Sequence, residues 1–369
     1  MSQEAIQQVR VWLTEQGLDA FLVTQPQNRS YLSSWLNDDR EGAGMLLVSQ
    51  ERQIILTNSL YQEVAEREAT GWEIVVPPPL AREYAPVLSE VVREAGWARV
   101  GFESAHLAYA EYTRFNEAFK GAAELVPYEK SYVNTLRLVK QPREIEMLRR
   151  AAAITDQTFA HLCRWIEPGM TEKEIQWEMT RKMLELGADG PAFEAIVASG
   201  PNGSMPHARA SSRRVQPGEL ITIDMGARYK GYCADMTRTI CLGEPAEARM
   251  VELYEIVLLA MRTCEAGLRA GISGQAADAL ARDILVAHDL GEQYIHGTGH
   301  GIGLEIHEGP ALSQRAPEDA LLPAGSVVTV EPGVYIPGWG GLRLEDSGVV
   351  TAEGFERLTQ SPTNLVIQR

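Results

Sequence analysis

One glycine-rich segment, residues 296–308, carries side chains that could do chemistry. It reads HGTGHGIGLEIHE and holds three of the chain's seven histidines, His296, His300 and His307. The first two have the i,i+4 spacing of a helical zinc-protease pair, but alternate glycines from 297 to 303 disfavour a helix. We therefore predict a loop or extended segment. The alternation of apolar and polar residues after Gly303 predicts a strand in which Glu305 and His307 face one way and Leu304, Ile306 and Glu308 face the other.

Four acids occupy matching positions around two glycine-rich turns. An apolar strand pattern leads to Asp224, and Asp235 opens the next strand-like run; Glu331 and Glu345 stand in the same relation further along the chain. If a hairpin joins each pair, four carboxylates and one imidazole can meet. Taken singly, each acid or histidine also fits a surface position. Their joint placement behind apolar strands favours a single site.

Four carboxylates that meet without a cation would repel one another, and most would have to be protonated. Two divalent metal ions would remove that repulsion. Oxygen ligands with one imidazole favour manganese or cobalt ahead of zinc. Two ions about 3.5–4 Å apart would hold a hydroxide that can attack at neutral pH. The residues therefore predict hydrolysis at a dinuclear metal centre.

The acids lie in a region in which one pattern occurs twice. Residues 218–226 and 325–333 align without a gap at an offset of 107 and share two glycines, a threonine and an acid. The helix starts at 169–171 and 271–273 repeat at an offset of 102. Two related halves predict a pseudo-twofold domain, in which helices cover a sheet and the site lies on the axis.

The residues before this region alternate between strand and helix patterns. Apolar strand patterns are separated by helical patterns, the later ones at 60–68, 80–95 and 108–119. This alternation predicts an α/β layer domain. The domain contains neither GxGxxG nor GxxxxGK[ST], so nucleotide binding has no support. We interpret Glu103 and His106 as surface residues.

A chain of 369 residues exceeds the usual size of one domain. Helix-favouring composition resumes at 140–146, where Pro142 can occupy the first turn of a long helix. We place the boundary between 128 and 140 and take the domains as residues 1–130 and 131–369.

The charge balance excludes some classes of partner. The chain has 50 acidic and 34 basic residues, a net charge of −16, without a concentrated basic run. This disfavours nucleic acid or an anionic membrane as a partner. The start lacks a secretory pattern, and no stretch approaches the ~18 apolar residues of a membrane helix. Four cysteines without CxxC spacing fit a reducing compartment. We expect a cytoplasmic protein.

Together these blocks resemble the pita-bread metallopeptidases of the Xaa-Pro aminopeptidase and prolidase group. Residues 296–308 are similar to the signature of that family, and the blocks 224–239, 329–333 and 341–346 match in order. The resemblance implies an α/β N-terminal domain followed by an α+β pita-bread catalytic domain with a pseudo-twofold internal duplication. It also implies a homodimer that acts on a proline-containing peptide.

The resemblance implies roles for individual residues. Five positions match metal ligands, and all are filled: Asp224, Asp235, His300, Glu331 and Glu345. Asp235 and Glu345 would bridge the two ions, and Glu331 would also carry a proton.

Four further residues match the walls of the substrate site in that family. His207 and His296 would border the substrate and the tetrahedral intermediate, and His307 would contact the substrate near the scissile bond. Arg343 would organise the same wall. For these four, support of the ligands is the alternative to direct contact.

The implied reaction is hydrolysis of the bond before proline. We expect an Xaa-Pro aminopeptidase, because an acidic chain attracts a protonated amino terminus more readily than a free carboxylate. The alternative is an Xaa-Pro dipeptidase (prolidase), which needs a cation for the proline carboxylate. The basic residues near the site blocks are Arg209, Arg213, Arg214, Arg228, Lys230, Arg238 and Arg343. A creatinase-like metal-independent hydrolase and a non-catalytic peptide-binding module are disfavoured, because the ligand set is complete.

Overall fold

A computed structural model describes residues 2–35, 43–78 and 84–367. The chain divides into two compact units, Met1–Arg137 and Leu138–Arg369. Each unit has its own hydrophobic core. Within the described ranges, no helix combines the length and the apolar character needed to cross a membrane.

The first unit is built on one six-stranded sheet, in which the strands lie in the order β4 (Glu73–Val75), β3 (Gln53–Thr57), β2 (Gly44–Ser49), β1 (Ala20–Val23), β5 (Arg99–Glu103) and β6 (Glu124–Tyr128). Strand β1 pairs antiparallel with β2 and parallel with β5, so the sheet is mixed. The elements are α1 (Ser2–Gln16), β1 (Ala20–Val23), α2 (Pro26–Ser33), β2 (Gly44–Ser49), β3 (Gln53–Thr57), α3 (Gln62–Glu68), β4 (Glu73–Val75), α4 (Ala85–Ala95), β5 (Arg99–Glu103), α5 (Tyr109–Ala118), β6 (Glu124–Tyr128) and α6 (Tyr132–Leu138). The α/β prediction is confirmed. The part of the predicted helix that falls on 80–83 lies outside the described residues.

Glu103, at the end of β5, is buried with 2% of its surface exposed, so the predicted surface position is wrong. Its carboxylate accepts hydrogen bonds from the backbone N–H groups of Thr24 and Gln25, at 2.7 and 2.6 Å, and from the Asn28 amide at 2.6 Å. These donors satisfy the buried carboxylate. They lie far from Glu103 in the sequence, so no local pattern could reveal that this residue is buried. His106 is exposed, as predicted.

The first half of the second unit contains the predicted long helix and the helix that follows it. Pro142 lies in the first turn of α7, and Thr171 and Glu174 form the predicted capping box of α8. The elements are α7 (Pro142–Trp165), α8 (Glu172–Glu185), β7 (Gly190–Pro191), β8 (Ile196–Ser199), β9 (Leu220–Met225), β10 (Ala227–Tyr229), β11 (Tyr232–Cys233) and β12 (Met236–Leu242).

The second half repeats this plan. Its elements are α9 (Ala248–Gly267), α10 (Gly274–Ala287), β13 (Gly299–Gly301), β14 (Glu308–Leu312), β15 (Val327–Val330), β16 (Gly333–Ile336), β17 (Gly340–Arg343), β18 (Asp346–Val350), β19 (Phe355–Arg357) and β20 (Val366–Ile367). The order β12-β9-β8 in one sheet corresponds to β18-β15-β13 in the other. Two helices precede each set, and a short hairpin joins its last two strands. The predicted pseudo-twofold duplication is therefore confirmed.

The central strands of the two sheets separate a hydrophobic core from a polar face. In β9, Ile221 and Ile223 belong to a core that includes residues of α7 and α8, and each fully buried side chain of this kind contributes about 1.5–3 kcal/mol. Successive residues of a strand point to opposite faces, so Thr222 and Asp224 point away from that core. Val328 and Val330 of β15 are core residues in the same way. The apolar positions thus determine which face carries the acids.

A buried acid on α9 gives the stability of the fold a pH dependence. Burial and the charge of Asp346 raise the pKa of Glu265 to about 7, although its hydrogen bond with Arg262 opposes the shift. Its Oε1 is buried without a hydrogen-bond partner in the described part of the chain. The folded protein therefore keeps this proton up to about pH 7, whereas the unfolded chain loses it near pH 4.5.

We expect Glu265→Gln to make the protein more stable than the wild type at pH 8. In the wild type, the contribution of Glu265 to the free energy of unfolding is fully present below pH 4.5 and is lost as the pH rises through about 7. The free energy of unfolding changes by on the order of 3 kcal/mol over this range. Urea unfolding at pH 5 and pH 8 measures the difference. Glu252→Gln, at an exposed position of the same helix, is the control. An equal effect of Glu265→Gln at both pH values would contradict this assignment.

Candidate metal centre

Strand ends bring the predicted ligands to one cavity of about 880 Å³. Asp224 lies near the end of β9, and Asp235 comes immediately before β12. Glu331 follows β15, and Glu345 precedes β18, so the two pairs are equivalent in the two halves. His300 lies in β13. All five line the cavity together with His207, His296, His307 and Arg343.

The glycines around His300 allow three strands to approach closely. A Cβ on Gly299 would lie 2.0 Å from the Thr329 carbonyl oxygen, and one on Gly301 would lie 1.9 Å from that of Gly309. With glycine at both positions, β13 pairs with β14 on one side and with β15 on the other. This confirms the predicted extended segment and explains why a glycine-rich sequence is needed there.

The alternation predicted after Gly303 is wrong. Residues 303–307 form bends rather than a strand, and both Ile306 and His307 line the cavity. The N–H of Gly303 donates to the Glu305 carbonyl oxygen at 3.0 Å, which closes the chain on itself. This local hydrogen bond stabilises a bend where the alternation of apolar and polar residues predicted a strand.

His300 is held with one ring nitrogen directed at the acids. Its Nδ1 lies 3.1 Å from the Gly301 carbonyl oxygen, which can only accept, so Nδ1 carries the hydrogen. Its Nε2 lies 3.2 Å from Glu331 Oε1 and 3.7 Å from Asp235 Oδ2. One potential ligand atom each from Asp235, His300 and Glu345 lie within 4.8 Å of one another. This arrangement leaves Nε2 available as a metal ligand.

The carboxyl groups show the electrostatic cost of their proximity. Burial raises the pKa of Asp235 well above its usual value, and the charges of Glu345 and Asp224 raise it further. Burial and the charge of Glu331 likewise raise the pKa of Glu345. Burial also opposes ionisation of Glu331, but its hydrogen bond to His300 and the charges of His300, His296 and Arg343 together outweigh this and lower its pKa to about 2. Asp235 and Glu345 therefore need additional positive charge nearby to stay ionised.

Asp224 gives an independent indication that a cation fits this site. Its Oδ2 accepts a hydrogen bond from Arg343 Nη2 at 2.5 Å. Its Oδ1 is buried and has no hydrogen-bond partner among the residues that the structure describes. An ionised oxygen in this position is costly unless something positive contacts it. The donor set of four carboxylates and one imidazole suits divalent ions that prefer oxygen ligands.

Arg343 is buried and connects the acids to the neighbouring wall. Its Nε donates to Thr237 Oγ1 at 3.1 Å, and that hydroxyl donates to Glu345 Oε2 at 2.7 Å. Its Nη1 donates to the Tyr335 hydroxyl at 2.7 Å. The predicted site arginine therefore contacts the acids rather than pointing freely into the cavity.

The three remaining histidines differ in their surroundings. Burial lowers the pKa of His296, whose Nε2 lies 3.0 Å from the Tyr335 hydroxyl and whose Nδ1 lies 2.7 Å from the Gly297 carbonyl oxygen. His307 is exposed to the cavity, and its ring centroid lies 4.3 Å from that of His300. Partial burial and the charge of His300 lower the pKa of His307. His207 is exposed at the cavity wall.

Sequence reasoning missed Tyr335 and Thr237. In β16, Tyr335 lies two residues after Gly333, which pairs with Arg343 across the hairpin, so period two places it on the face of the arginine. Thr237 lies two residues after Asp235, and its bonds to both Arg343 and Glu345 cross between the two halves. No pattern within one half could reveal that contact.

A duplicated α+β domain with buried acids and one imidazole at its strand ends defines a metal-dependent hydrolase of the pita-bread type. The family comparison makes this assignment specific. The model of metallopeptidase family M24 matches residues 146–352, and that of the creatinase/prolidase N-terminal domain matches residues 6–139. The chain belongs to metallopeptidase family M24 and is a peptidase.

Proteins with named activities resemble it along their whole length. An Xaa-Pro dipeptidase of Pyrococcus furiosus is 32% identical over 98% of this chain and 99% of its own. The structure of an Xaa-Pro dipeptidase from Bacillus anthracis has 41% identity and a TM-score of 0.92, and covers 99% of both chains. The structure of an X-Pro aminopeptidase from Thermotoga maritima has 33% identity and a TM-score of 0.87, and covers 98% of this chain and 99% of its own.

Proposed function

We propose that this peptidase is an Xaa-Pro dipeptidase, which hydrolyses the bond between an amino-terminal residue and a carboxy-terminal proline. The observation that carries hydrolysis is that all five potential ligands line one cavity, where Asp224 Oδ1 is buried without a hydrogen-bond partner among the described residues. The choice of a dipeptide is supported by the relatives from Pyrococcus furiosus and Bacillus anthracis. The aminopeptidase that we expected from net charge has less support, because net charge carries no information on where a free cation lies.

The proposed metal ligands are the five side chains predicted from the sequence, Asp224, Asp235, His300, Glu331 and Glu345. Bound there, two divalent ions would act as Lewis acids and make a water-derived nucleophile available at neutral pH. The oxygen-rich set favours manganese, with cobalt or zinc as alternatives. Asp235 and Glu345 would each help to hold both ions.

Glu331 is the proposed proton carrier. Without metal, a proton on His300 Nε2 and the charges of His300, His296 and Arg343 hold the Glu331 carboxylate ionised. A metal ion at Nε2 would replace that proton, and an ionised carboxylate can accept a proton from water. His307 is exposed in the cavity beside His300, and its lowered pKa keeps the imidazole neutral at pH 7. A neutral imidazole can donate one N–H to an oxygen that gains charge during hydrolysis. His207 borders the same cavity, which supports its proposed contact with the substrate.

His296 has a different proposed role. Its Nδ1 faces the Gly297 carbonyl oxygen, so Nδ1 donates and Nε2 accepts from the Tyr335 hydroxyl. Tyr335 in turn accepts from Arg343. We propose that His296 and Arg343 position Tyr335 and Asp224, which is the supporting role left open for both residues.

We expect the enzyme to cleave Ala-Pro at least about 10-fold more efficiently than Ala-Pro-Ala, because only the dipeptide has a free carboxylate on the proline. The measurement is kcat/KM for both peptides, and for a longer Xaa-Pro peptide, at fixed manganese. Pro-Ala is the control and should not be cleaved. Equal or faster cleavage of Ala-Pro-Ala would instead establish the aminopeptidase.

Three expectations stay predictions from sequence. They are the homodimer, the cytoplasmic location and the domain boundary at residues 130 and 131. The division of the chain into two compact units falls between Arg137 and Leu138, within the range 128–140 that was predicted for the boundary. Sedimentation equilibrium of the purified chain would test the homodimer.

A further inference from the structure

We infer that Arg209 pairs with the free carboxylate of the substrate and thereby sets the preference for a dipeptide. This inference rests on the proposed dipeptidase function and adds a specificity-determining residue to it. It follows from the position and the bonding of the basic residues near the site.

Most of the basic residues near the site blocks are bonded elsewhere. Of the seven candidates in the sequence, only Arg209 and Arg343 line the cavity. Arg213 pairs with Glu219 at 2.6 Å, and Arg238 pairs with Asp346 at 2.6 Å. The remaining three contact neighbours in the fold: Arg214 the Gly169 carbonyl, Arg228 the Ala192 carbonyl, and Lys230 the Tyr229 ring.

The two arginines of the cavity wall differ in what they can still bind. Arg343 is buried, and its three nitrogens donate to Asp224, Thr237, Tyr335 and a backbone carbonyl. All three nitrogens of Arg343 are therefore already hydrogen-bonded within the protein. Arg209 has an exposed side chain without a hydrogen bond or ion pair to any residue in the described ranges. Its guanidinium is free to bind a carboxylate through two parallel hydrogen bonds.

The backbone around Arg209 directs this side chain into the cavity. Ala208 and Ala210 are buried, with 4% and 8% exposure, whereas His207 and Arg209 are exposed and line the cavity. The Ala208 N–H also donates to the Met205 carbonyl oxygen at 3.1 Å. The buried alanines anchor the segment and present His207 and Arg209 on the same side.

Charge rather than size must select the dipeptide in this cavity. Its volume of about 880 Å³ lies towards the upper end for ligand pockets, so a third residue is not excluded by space. The wall contains the four acids of the metal centre and also the exposed Glu194. In the metal-loaded enzyme the ions would offset the four acids, so Glu194 repels a substrate carboxylate and Arg209 attracts it. Because Arg209 is exposed, we expect a moderate preference of about 10-fold.

The test compares acid and amide substrates in the metal-loaded enzyme. For Arg209→Gln we expect KM for Ala-Pro to rise about 10-fold with little change in kcat, while kcat/KM for Ala-Pro-amide stays the same. Arg209→Lys should retain part of the preference. Arg214→Gln is the matched control, because this exposed arginine lies outside the cavity, and it should change neither substrate.

The outcomes separate the inference from the function on which it rests. If Arg209→Gln slows Ala-Pro and its amide equally, or slows neither, Arg209 is not the carboxylate-binding residue. The wild-type ratio of Ala-Pro to Ala-Pro-Ala tests the dipeptidase function independently. Metal content and the thermal midpoint of each variant should match the wild type. If metal content and thermal midpoint both fall in Arg209→Gln, and kcat/KM falls equally for Ala-Pro and Ala-Pro-amide, Arg209 has a structural role. That result would overturn the inference.

Discussion

Asp235→Ala should remove most of the bound metal and lower kcat/KM by at least about 10³-fold. Even the loss of an outer partner of a metal ligand costs about 10- to 100-fold, and Asp235 is proposed to contact both ions. Its oxygen lies 3.7 Å from His300 Nε2, and it shares a ligand group with His300 and Glu345. Glu345→Ala should behave in the same way. Metal content per chain after gel filtration and kcat/KM on Ala-Pro are the measurements.

A stability measurement distinguishes this loss of ligand from general damage. Without metal, Asp235 is buried among other acids, and its pKa is raised by burial and by their charges. After dialysis against a chelator, Asp235→Ala should therefore melt at a higher temperature than the wild type, because a carboxyl group whose ionisation is opposed by burial and by neighbouring acids is gone. Added manganese should stabilise the wild type more than the variant.

Glu194→Ala is the control, since this exposed acid lines the same cavity without belonging to the ligand group, and it should retain metal. An Asp235→Ala variant with two ions and near-normal turnover would show that the ligands are assigned wrongly.

His307→Ala should lower kcat/KM about 100-fold while leaving the metal content unchanged. The imidazole is exposed in the cavity, 4.3 Å from the His300 ring centroid, and partial burial together with the charge of His300 lowers its pKa. It is therefore a neutral donor beside the ligands, and loss of one such donor costs about 10²–10³-fold in kcat.

The control for this variant is His288→Ala, because His288 is an exposed histidine at the end of α10. Metal analysis decides the role of His307. If the ions are lost together with the activity, His307 is a ligand, and the proposed role in substrate contact is wrong.

The duplication is the part of the fold that sequence could establish. Equivalent glycines, a threonine and an acid recur at one offset, and both copies fold as a strand followed by a hairpin. Apolar residues alternate with Thr222 and Asp224 in β9, so the buried face and the polar face follow from period two. The alternation identifies the buried face because each of these strands must bury one of its two faces.

The sequence by itself determined the five potential ligands, the strands that carry them and the extended segment around His300. Only the tertiary structure decided which polar groups contact one another across the halves. Thr237 bonded to Glu345, Tyr335 bonded to His296 and Arg343, and Arg209 left without a partner in the described chain are all of this kind. Periodicity reports which face a side chain takes, because it depends on local backbone geometry. Which side chains form hydrogen bonds with one another depends on where strands distant in the sequence end. That is decided when the two halves of the second unit pack together.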